Sequence, residues 1–511
     1  MGKFLKGTLI LSFAMLYTKV VEFVVSILLA RSLGSEGMGY YMMVLPIAGL
    51  LITIAALEFP TALSKVLAEE EAHSHKQRLR IVTVSFHVIL ALSLLLATIA
   101  AGITFLLVHL HAVDVRLAYP LLALIPIVPV IGTTSILKGY FSGLQKMKPI
   151  AIAQLLEKTA QLSFIFYIFT GLSHLPLAFR VVAAVIGIGV GELVSLLFFS
   201  ASFLFGERQG NSFSEERVEV PLVKRRVILK KLFHVSLPTT GVRILNALSA
   251  AVNPMIITQS LIFAGITASV ATKQYGMLTA FAMTIGYFPG FIGHSLYVAL
   301  VPSIAEARAK QDNYALHQRI QQAFSITFMY GIPCSILMYF FADELTELFY
   351  HSPQAGEFLM LLAPFILFHY LLAPLQAILF GLGRARDVFS HTIWVNLLSI
   401  VLIISLATQT SFGIHGVIIA VNFSGVLLSF LHYHTIIEEI SFRPKLLDYL
   451  FFVLAGSLTV GFCQLLHVTH YDVTSPVLLL ILAACTFFFC SYYILKLSSF
   501  YLTRLFYKHE K

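Results

Sequence analysis

Apolar runs of about twenty residues follow one another along nearly the whole chain, separated by short polar turns. A bilayer core of roughly 30 Å is crossed by about 20 residues of α-helix rising 1.5 Å each. Such runs have one good solvent, the interior of a membrane. A water-soluble fold would have to cover its surface with the 12% of residues that are charged, while hiding the 58% that are hydrophobic. Soluble domains carry about 25% charged residues, so that solution is excluded. The pattern predicts an all-α polytopic membrane protein.

Fourteen spans are expected. The first six are 8–30, 37–58, 81–108, 120–137, 149–170 and 179–205. The next six are 233–256, 274–301, 324–342, 357–380, 389–407 and 412–431, and 446–466 and 473–495 close the series. With the N-terminus in the cytoplasm, 27 of the 34 Lys and Arg residues fall in inner loops and tails, four in outer loops (Arg180 being counted there, at the outer edge of span 179–205) and three inside spans. That asymmetry is the positive-inside rule, and one missed helix would scramble every later loop. Both termini are therefore expected in the cytoplasm, and the cytoplasmic membrane of the cell is the expected location. The net charge of +9 belongs to a face lying against anionic lipid, so nucleic acid is not needed as a partner. Cys334, Cys463, Cys485 and Cys490 sit within apolar runs and read as small buried hydrophobes rather than a disulfide framework. The N-terminal run continues past Lys19 to Ala30 without a small-x-small cleavage site, so it is read as a retained span and not a signal peptide.

Two segments read as copies. "YFSGLQKMK" after the fourth span and "ILFGLGRAR" after the tenth match at Gly143-Leu144 and Gly381-Leu382, Lys146 and Arg384, and Lys148 and Arg386, all offset by 238. Pro60 and His75 match Pro302 and His317 at an offset of 242. Six spans is an even number, so both copies enter the membrane in the same sense. Parallel repeats are related by an axis along the membrane normal, and transporters built this way bind substrate between halves. The organisation read from this is a six-helix lobe at 1–205, a cytoplasmic linker at 206–232, a second six-helix lobe at 233–431, and two further helices with a tail at 432–511.

The costly residues are the charges placed inside spans. Insertion of a lysine or arginine at the bilayer centre costs about 2.5–3.5 kcal/mol. Lys19 and Glu22 stand near the middle of the first span, three residues apart on one helical face. Arg243 stands near the middle of the seventh, with no acidic residue in its own span. Cations contributed by both lobes would form a site for a phosphate or pyrophosphate group; Lys19 and Arg243 are the candidates, with Arg31 at the outer end of the first helix as a further anion contact. Structural pairing of Lys19 with Glu22, or snorkelling of Arg243, is the bland alternative. Glu22, Glu157 and Glu192 are candidates for ion coupling, with Na+ or H+ as the ion. Glu157 and Lys158 are adjacent and point about 100° apart, so one of them is expected to line a cavity. Gly187 and Gly191 read as a packing surface. Glu58, at a helix end, is expected to meet water. Prolines at 126, 129, 238, 254, 289, 333, 364 and 374 supply bends.

Enzymic signatures are missing. There is no Walker loop, HExxH or nucleophile elbow. His109, His111, His467 and His470 fall at outer helix ends, where interfacial roles outrank metal binding. Neither a cofactor nor a metal is expected, and any transport must draw on an ion gradient, the membrane potential or removal of the substrate.

The opening "FLKGTLILSFAMLYTKVVEFVVSILLARSLGSEGMGYYMMVLPI", together with "FPTALSKVLAEE", "LKGYFSGLQKMKP" and "SLPTTGVRILNAL", resembles the polysaccharide-transporter branch of the multidrug/oligosaccharidyl-lipid/polysaccharide (MOP) flippase superfamily. Within it the likeness is to stage V sporulation protein B-like members, and it runs through both six-helix halves. The resemblance implies MATE-like V-shaped lobes, alternating access, and passage of a lipid-linked sugar on its undecaprenyl pyrophosphate anchor. It also implies a part in cell-wall or spore-cortex peptidoglycan synthesis, and a groove for the lipid tail on the last two helices. Lys19 stands where relatives often carry arginine, and a lysine cannot form a bidentate fork. Three rivals remain open at this point: a cation-coupled multidrug exporter of the same superfamily, a non-transporting scaffold that recruits cell-wall synthases through the 206–231 segment, and a membrane glycosyltransferase, for which no long outer loop carries an acidic catalytic pair.

Overall fold

The computed structural model describes residues 3–69, 75–110, 114–171, 175–210, 224–440, 442, 446–469 and 477–509. Among them all regular structure is helical. The first stretch holds α1 (Lys3–Ala56), α2 (Phe59–Glu69), α3 (His75–His109), α4 (Val115–Leu124), α5 (Ile127–Gly143), α6 (Met147–Gly171) and α7 (Leu177–Gly210). Then come α8 (Arg225–Phe263), α9 (Ala268–Gly276), α10 (Met283–Tyr287), α11 (Phe291–Ala309), α12 (Asn313–Phe340) and α13 (Ala342–Tyr350). The last are α14 (Gly356–Gly381), α15 (Ala385–Ala407), α16 (Ile414–Ile440), α17 (Leu446–Thr469) and α18 (Val477–His509). Between α9 and α11 the chain passes through a π-helical turn at Met277–Ala282 and a 3₁₀ turn at Phe288–Gly290 that contains Pro289.

Twelve helical stretches among the described residues are long and apolar enough to cross a membrane. Two of the fourteen expected spans are not separate members of that set. The first two expected spans are one helix, α1, bent at Gly34, whose φ of 67° is a conformation that L side chains rarely adopt. The expected fifth span corresponds to α6, which forms but is diluted by Gln154, Glu157, Lys158 and Gln161.

The two matched helix ends close with the same hydrogen bonds, a pattern that also closes the helices ending at Phe263 and Ala309. At the end of α5, the N–H groups of Leu144, Gln145 and Lys146 donate to Tyr140, Ser142 and Phe141 at 3.1, 2.9 and 2.9 Å. At the end of α14, those of Leu382, Gly383 and Arg384 donate to Ile378, Phe380 and Leu379 at 2.9, 3.0 and 2.8 Å. Every atom is displaced by 238 residues. Both ends reverse through a left-handed residue, Gln145 (φ 54°) and Gly383 (φ 79°), which satisfies carbonyls otherwise left open at a helix terminus. Packing repeats as well. The helix ending at Gly143 lies against α2 and α3, the helix ending at Gly381 against α11 and α12, and the pairs α6–α7 and α15–α16 correspond.

The chain forms two compact units, Met1–Thr258 with Ala268–Gly276, and Gln259–Thr267 with Met277–Lys511. The first is cored by Phe59, Leu63, Leu67, Ile81, Ile136 and Phe199. Ile228 and Leu232 at the start of α8 join that core, and the boundary between the two units falls within α8, after Thr258. The second unit is cored by Leu316, Ile320, Phe324, Ile378, Leu379 and Ile436. A stack of Phe452 on Tyr492, with ring centroids 4.5 Å apart, joins α17 to α18.

Within the first unit α9 crosses α1 with almost no space between backbones. A Cβ at Gly276 would overlap the Ser35 carbonyl and lie 2.7 Å from the Gly39 nitrogen; one at Gly39 would overlap the Thr272 carbonyl. Backbone atoms cannot swing aside as a side-chain tip can. Gly276→Ala is therefore expected to destabilise the protein by about 1–3 kcal/mol, the usual cost of overpacking, measured as a lowered unfolding temperature in detergent. Gly102→Ala, which meets open space, serves as the control that should leave it unchanged.

Candidate functional site

The mid-span charges of α1 are met by α6. Lys19 Nζ donates to Glu22 Oε2 at 2.9 Å, one turn along the same helix. The other oxygen of Glu22 lies 3.6 Å from Lys158 Nζ, which also contacts Glu157 Oε1 at 3.1 Å and donates to Gln161 Oε1 at 3.4 Å. One helical layer higher in contact, Tyr17 and Thr159 share a hydrogen bond of 2.8 Å. Glu157 and Lys158 are adjacent in sequence, yet the flexible lysine stem lets their ends meet; each is under 20% exposed. From α7, Glu192 interacts electrostatically with both. It is brought close because Gly191 packs so tightly on α6 that a Cβ there would lie 2.7 Å from the Glu157 carbonyl oxygen. The cluster thus joins three carboxylates to two ammonium groups.

Arg243 is held elsewhere. α1 ends at Ala56, and Leu57 and Glu58 take left-handed φ values of 45° and 52° before α2 begins. That turn places the Glu58 carboxylate where the Arg243 guanidinium donates to its Oε1, while Thr61 Oγ1 donates to its Oε2 at 2.9 Å. A carboxylate at the start of α2 is also favoured by the helix dipole. The expectation that Glu58 meets water is corrected: Glu58 is 14% exposed and serves as counter-ion to Arg243, which is itself 65% exposed. Both belong to the first unit.

Arg31 is exposed on α1, twelve residues beyond Lys19 and so about 18 Å along the axis. Beyond the Gly34 bend lies a polar cluster that the sequence reading passed over. Glu36 accepts from Arg116 at 3.1 Å and from Ser269 at 3.0 Å, Tyr40 donates to Asp114 at 3.0 Å, and Arg180 donates to the Ser32 carbonyl at 2.5 Å. Sequence alone showed Arg116 and Arg180 only as loop residues.

The second unit contains an apolar cavity of about 360 Å³ between α12, α14, α16 and α17. Its walls include Phe324, Phe328, Leu375, Val426, Phe430 and Tyr433, with the Ser429 hydroxyl turned to the Phe368 carbonyl. Its sequence signal was spacing: Phe324 and Phe328 are four apart, and Val426, Phe430 and Tyr433 fall on one helical face. Among the described residues, no group of three or more His, Cys, Asp or Glu side chains is arranged to hold a metal ion. His111 and His470 lie outside the described residues, as do residues 211–223 of the 206–231 segment.

The chain as a whole has relatives among known proteins. Residues 4–308 match the family described as "Polysaccharide biosynthesis protein", and residues 278–405 match the family described as MatE. Sporulation protein YkvU of Bacillus subtilis (strain 168) is 36% identical over 440 residues, covering 86% of this chain and 96% of that protein. Stage V sporulation protein B of the same organism is 35% identical over 448 residues, covering 87% and 86%. Among solved structures, lipid II flippase MurJ in an inward closed conformation superposes with a TM-score of 0.71 over 97% of this chain and 100% of that one, at 15% identity. That last likeness is one of fold.

Proposed function

Because the chain belongs to the polysaccharide biosynthesis protein family, in the MOP superfamily of membrane flippases and transporters, we propose that it carries a lipid-linked sugar across a membrane. The cargo of this reading is a sugar or peptidoglycan precursor on undecaprenyl pyrophosphate, moved by alternating access across the cytoplasmic membrane for cell-wall or spore-cortex synthesis. Both termini face the cytoplasm in this scheme, and cell-wall synthases are the partners that would consume the product.

One observation carries the reading. A guanidinium stands near the midpoint of a 39-residue helix, two-thirds exposed, with Glu58 as its one carboxylate counter-ion among the described residues. Two N–H donors in a planar fork match two oxygens of a pyrophosphate. In the unloaded state Glu58 occupies that fork and keeps the site near neutral, which limits the cost of charge in an apolar setting. An arriving pyrophosphate displaces Glu58, and the carboxylate returns when the cargo leaves. Lys19 supplies a second cation, as a point charge, with Glu22 in the same counter-ion role. Arg31, about 18 Å along α1, meets the anion at a different stage of its passage. The excess carboxylate among Glu22, Glu157 and Glu192 binds the driving cation, H+ or Na+.

The lipid chain needs an apolar path, and the cavity of the second unit offers one. Of the two C-terminal helices expected to bear the tail, α17 contributes Tyr449 to its wall. Val426→Trp fills the space. Loss of room for about two methylenes, at about 0.8 kcal/mol each, corresponds to roughly tenfold weaker use of the long-chain substrate. A short-prenyl analogue should be carried as well as by the unaltered protein, and vesicle assays with the two substrates separate these results.

The acid excess around Lys158 favours a second reading, a cation-coupled exporter of small molecules. Efflux that depends on Glu22 or Glu192 and ignores lipid-linked sugars would support it against the first.

A further inference from the structure

In the second unit two histidines from neighbouring helices meet. Nδ1 of His391 on α15 lies 3.1 Å from Nδ1 of His432 on α16, with ring centroids 5.3 Å apart. His432 is wholly buried, and its Nε2 has no hydrogen-bond partner among the described residues. His391 is partly exposed. Neither ring belongs to the charged clusters or to the walls of the apolar cavity, so the transport scheme leaves both unused. A buried polar ring with one open nitrogen is costly to keep unless it does something.

The contact itself dictates a proton count. At 3.1 Å between the two Nδ1 atoms, one must carry the hydrogen and the other must offer its lone pair, because two N–H groups cannot point at each other. The pair therefore exists either as two neutral imidazoles or as one imidazolium bonded to one neutral imidazole. A second proton would have to break the contact.

The surroundings choose which ring holds the charge. On α15, Asp387 lies one turn before His391, on the same face, and accepts from Arg384 Nε at 2.6 Å. Arg384 and Arg308 both donate to Glu439, at 3.3 and 2.6 Å, on the face that is cytoplasmic in the proposed topology. On α16, His434 follows two residues after His432 and stands 3.6 Å from Glu438. α14, packed against both helices, sends the carbonyls of Leu361 and Phe368 to Asn422 and Ser429. Its His369 lies against Gly425, about 10 Å along α16 from His432, and its Tyr370 turns away to the Gly286 carbonyl. Asp387 is thus the carboxylate next to the pair, and it stands beside His391.

We propose that His391 and His432 form a binding site for a single proton, loaded from the Asp387 side and held on His391 with His432 Nδ1 as acceptor. On uptake the proton bonds to the free nitrogen lone pair of His391. Its Nδ1–H then donates to His432, which stays neutral with its hydrogen on Nε2. Release reverses the step through Asp387. The site stands whatever the chain carries; only its use as a coupling site rests on the transport reading.

The test uses full-length protein, labelled with ¹⁵N at histidine, in lipid nanodiscs, followed by NMR from about pH 8 to about pH 5, the range in which histidine changes charge. Comparison with His391→Asn and His432→Asn assigns the two rings. The expected result is a single step that moves both rings together and adds one proton to the pair, with His432 in the Nε2–H form. In His391→Asn, which leaves the buried ring in place should His432→Asn not fold, His432 should stay neutral throughout. Two separate steps of one proton each, no change in either ring, or unaltered titration of His432 in His391→Asn would each overturn the assignment.

Discussion

Arg243→Ala is expected to slow transfer of a pyrophosphate-linked sugar between leaflets by about 10- to 100-fold while leaving the protein folded. Hydrogen bonds to a charged group contribute about 1.5–3 kcal/mol, and each 1.4 kcal/mol is about tenfold. Some stability should be lost, because Glu58, at 14% exposure, is left without its counter-ion; the 65% exposure of Arg243 itself limits that loss. Arg243→Lys keeps a charge but loses the planar fork, so it should recover only part of the rate. Glu58→Gln makes the opposite change. Without its resident carboxylate the guanidinium should bind the anion more tightly and release it more slowly. A snorkelling arginine with no part in transport predicts no change in rate for any of the three. Rates in vesicles, with gel filtration as the check on folding, decide between them.

Lys158→Met is expected to act on stability. Lys158 joins Glu22 to Glu157 and interacts with Glu192; without its ammonium, three carboxylates face one another across α1, α6 and α7. Removing one member of a buried ion pair costs about 3–5 kcal/mol, and at 19% exposure the lower end, about 3 kcal/mol, applies. Glu157→Gln in the same chain should restore much of the loss by removing one of the repelling charges. Lys19→Met is the contrast, since Lys19 is 55% exposed and its loss should be mild. Thermal unfolding in detergent separates the three.

These two sites differ in how far the sequence reveals them. That Lys19 and Glu22 pair follows from helical spacing alone, since three residues place them on one face. The tie to α6 does not, because it depends on which helices pack together. Adjacent Glu157 and Lys158 also looked divided between two faces until the reach of the lysine stem was seen. Arg243 had to find an acid outside its helix. That the acid is Glu58, 185 residues away, depends on the left-handed pair Leu57 and Glu58, and ordinary residues at positive φ leave no mark in composition or periodicity. The helices themselves were legible because lipid leaves the backbone few other ways to satisfy its hydrogen bonds. α6 is the exception in hydropathy, and among the polar residues that lower it Lys158 meets Glu22 and is itself contacted by Glu157 and Gln161. The histidine pair was missed for a related reason: attention to His109 and His470 followed their place at helix ends, whereas His391 and His432 meet only because α15 crosses α16.

The central claim is that the chain carries a pyrophosphate-bearing lipid from one leaflet to the other. Purified full-length protein in vesicles with an undecaprenyl-pyrophosphate sugar in the inner leaflet tests it, using an impermeant reagent that modifies only sugar exposed outside. The account predicts that nearly all the sugar becomes reactive in vesicles holding the protein, while almost none does in empty ones. Equal protection in both kinds of vesicle would contradict it.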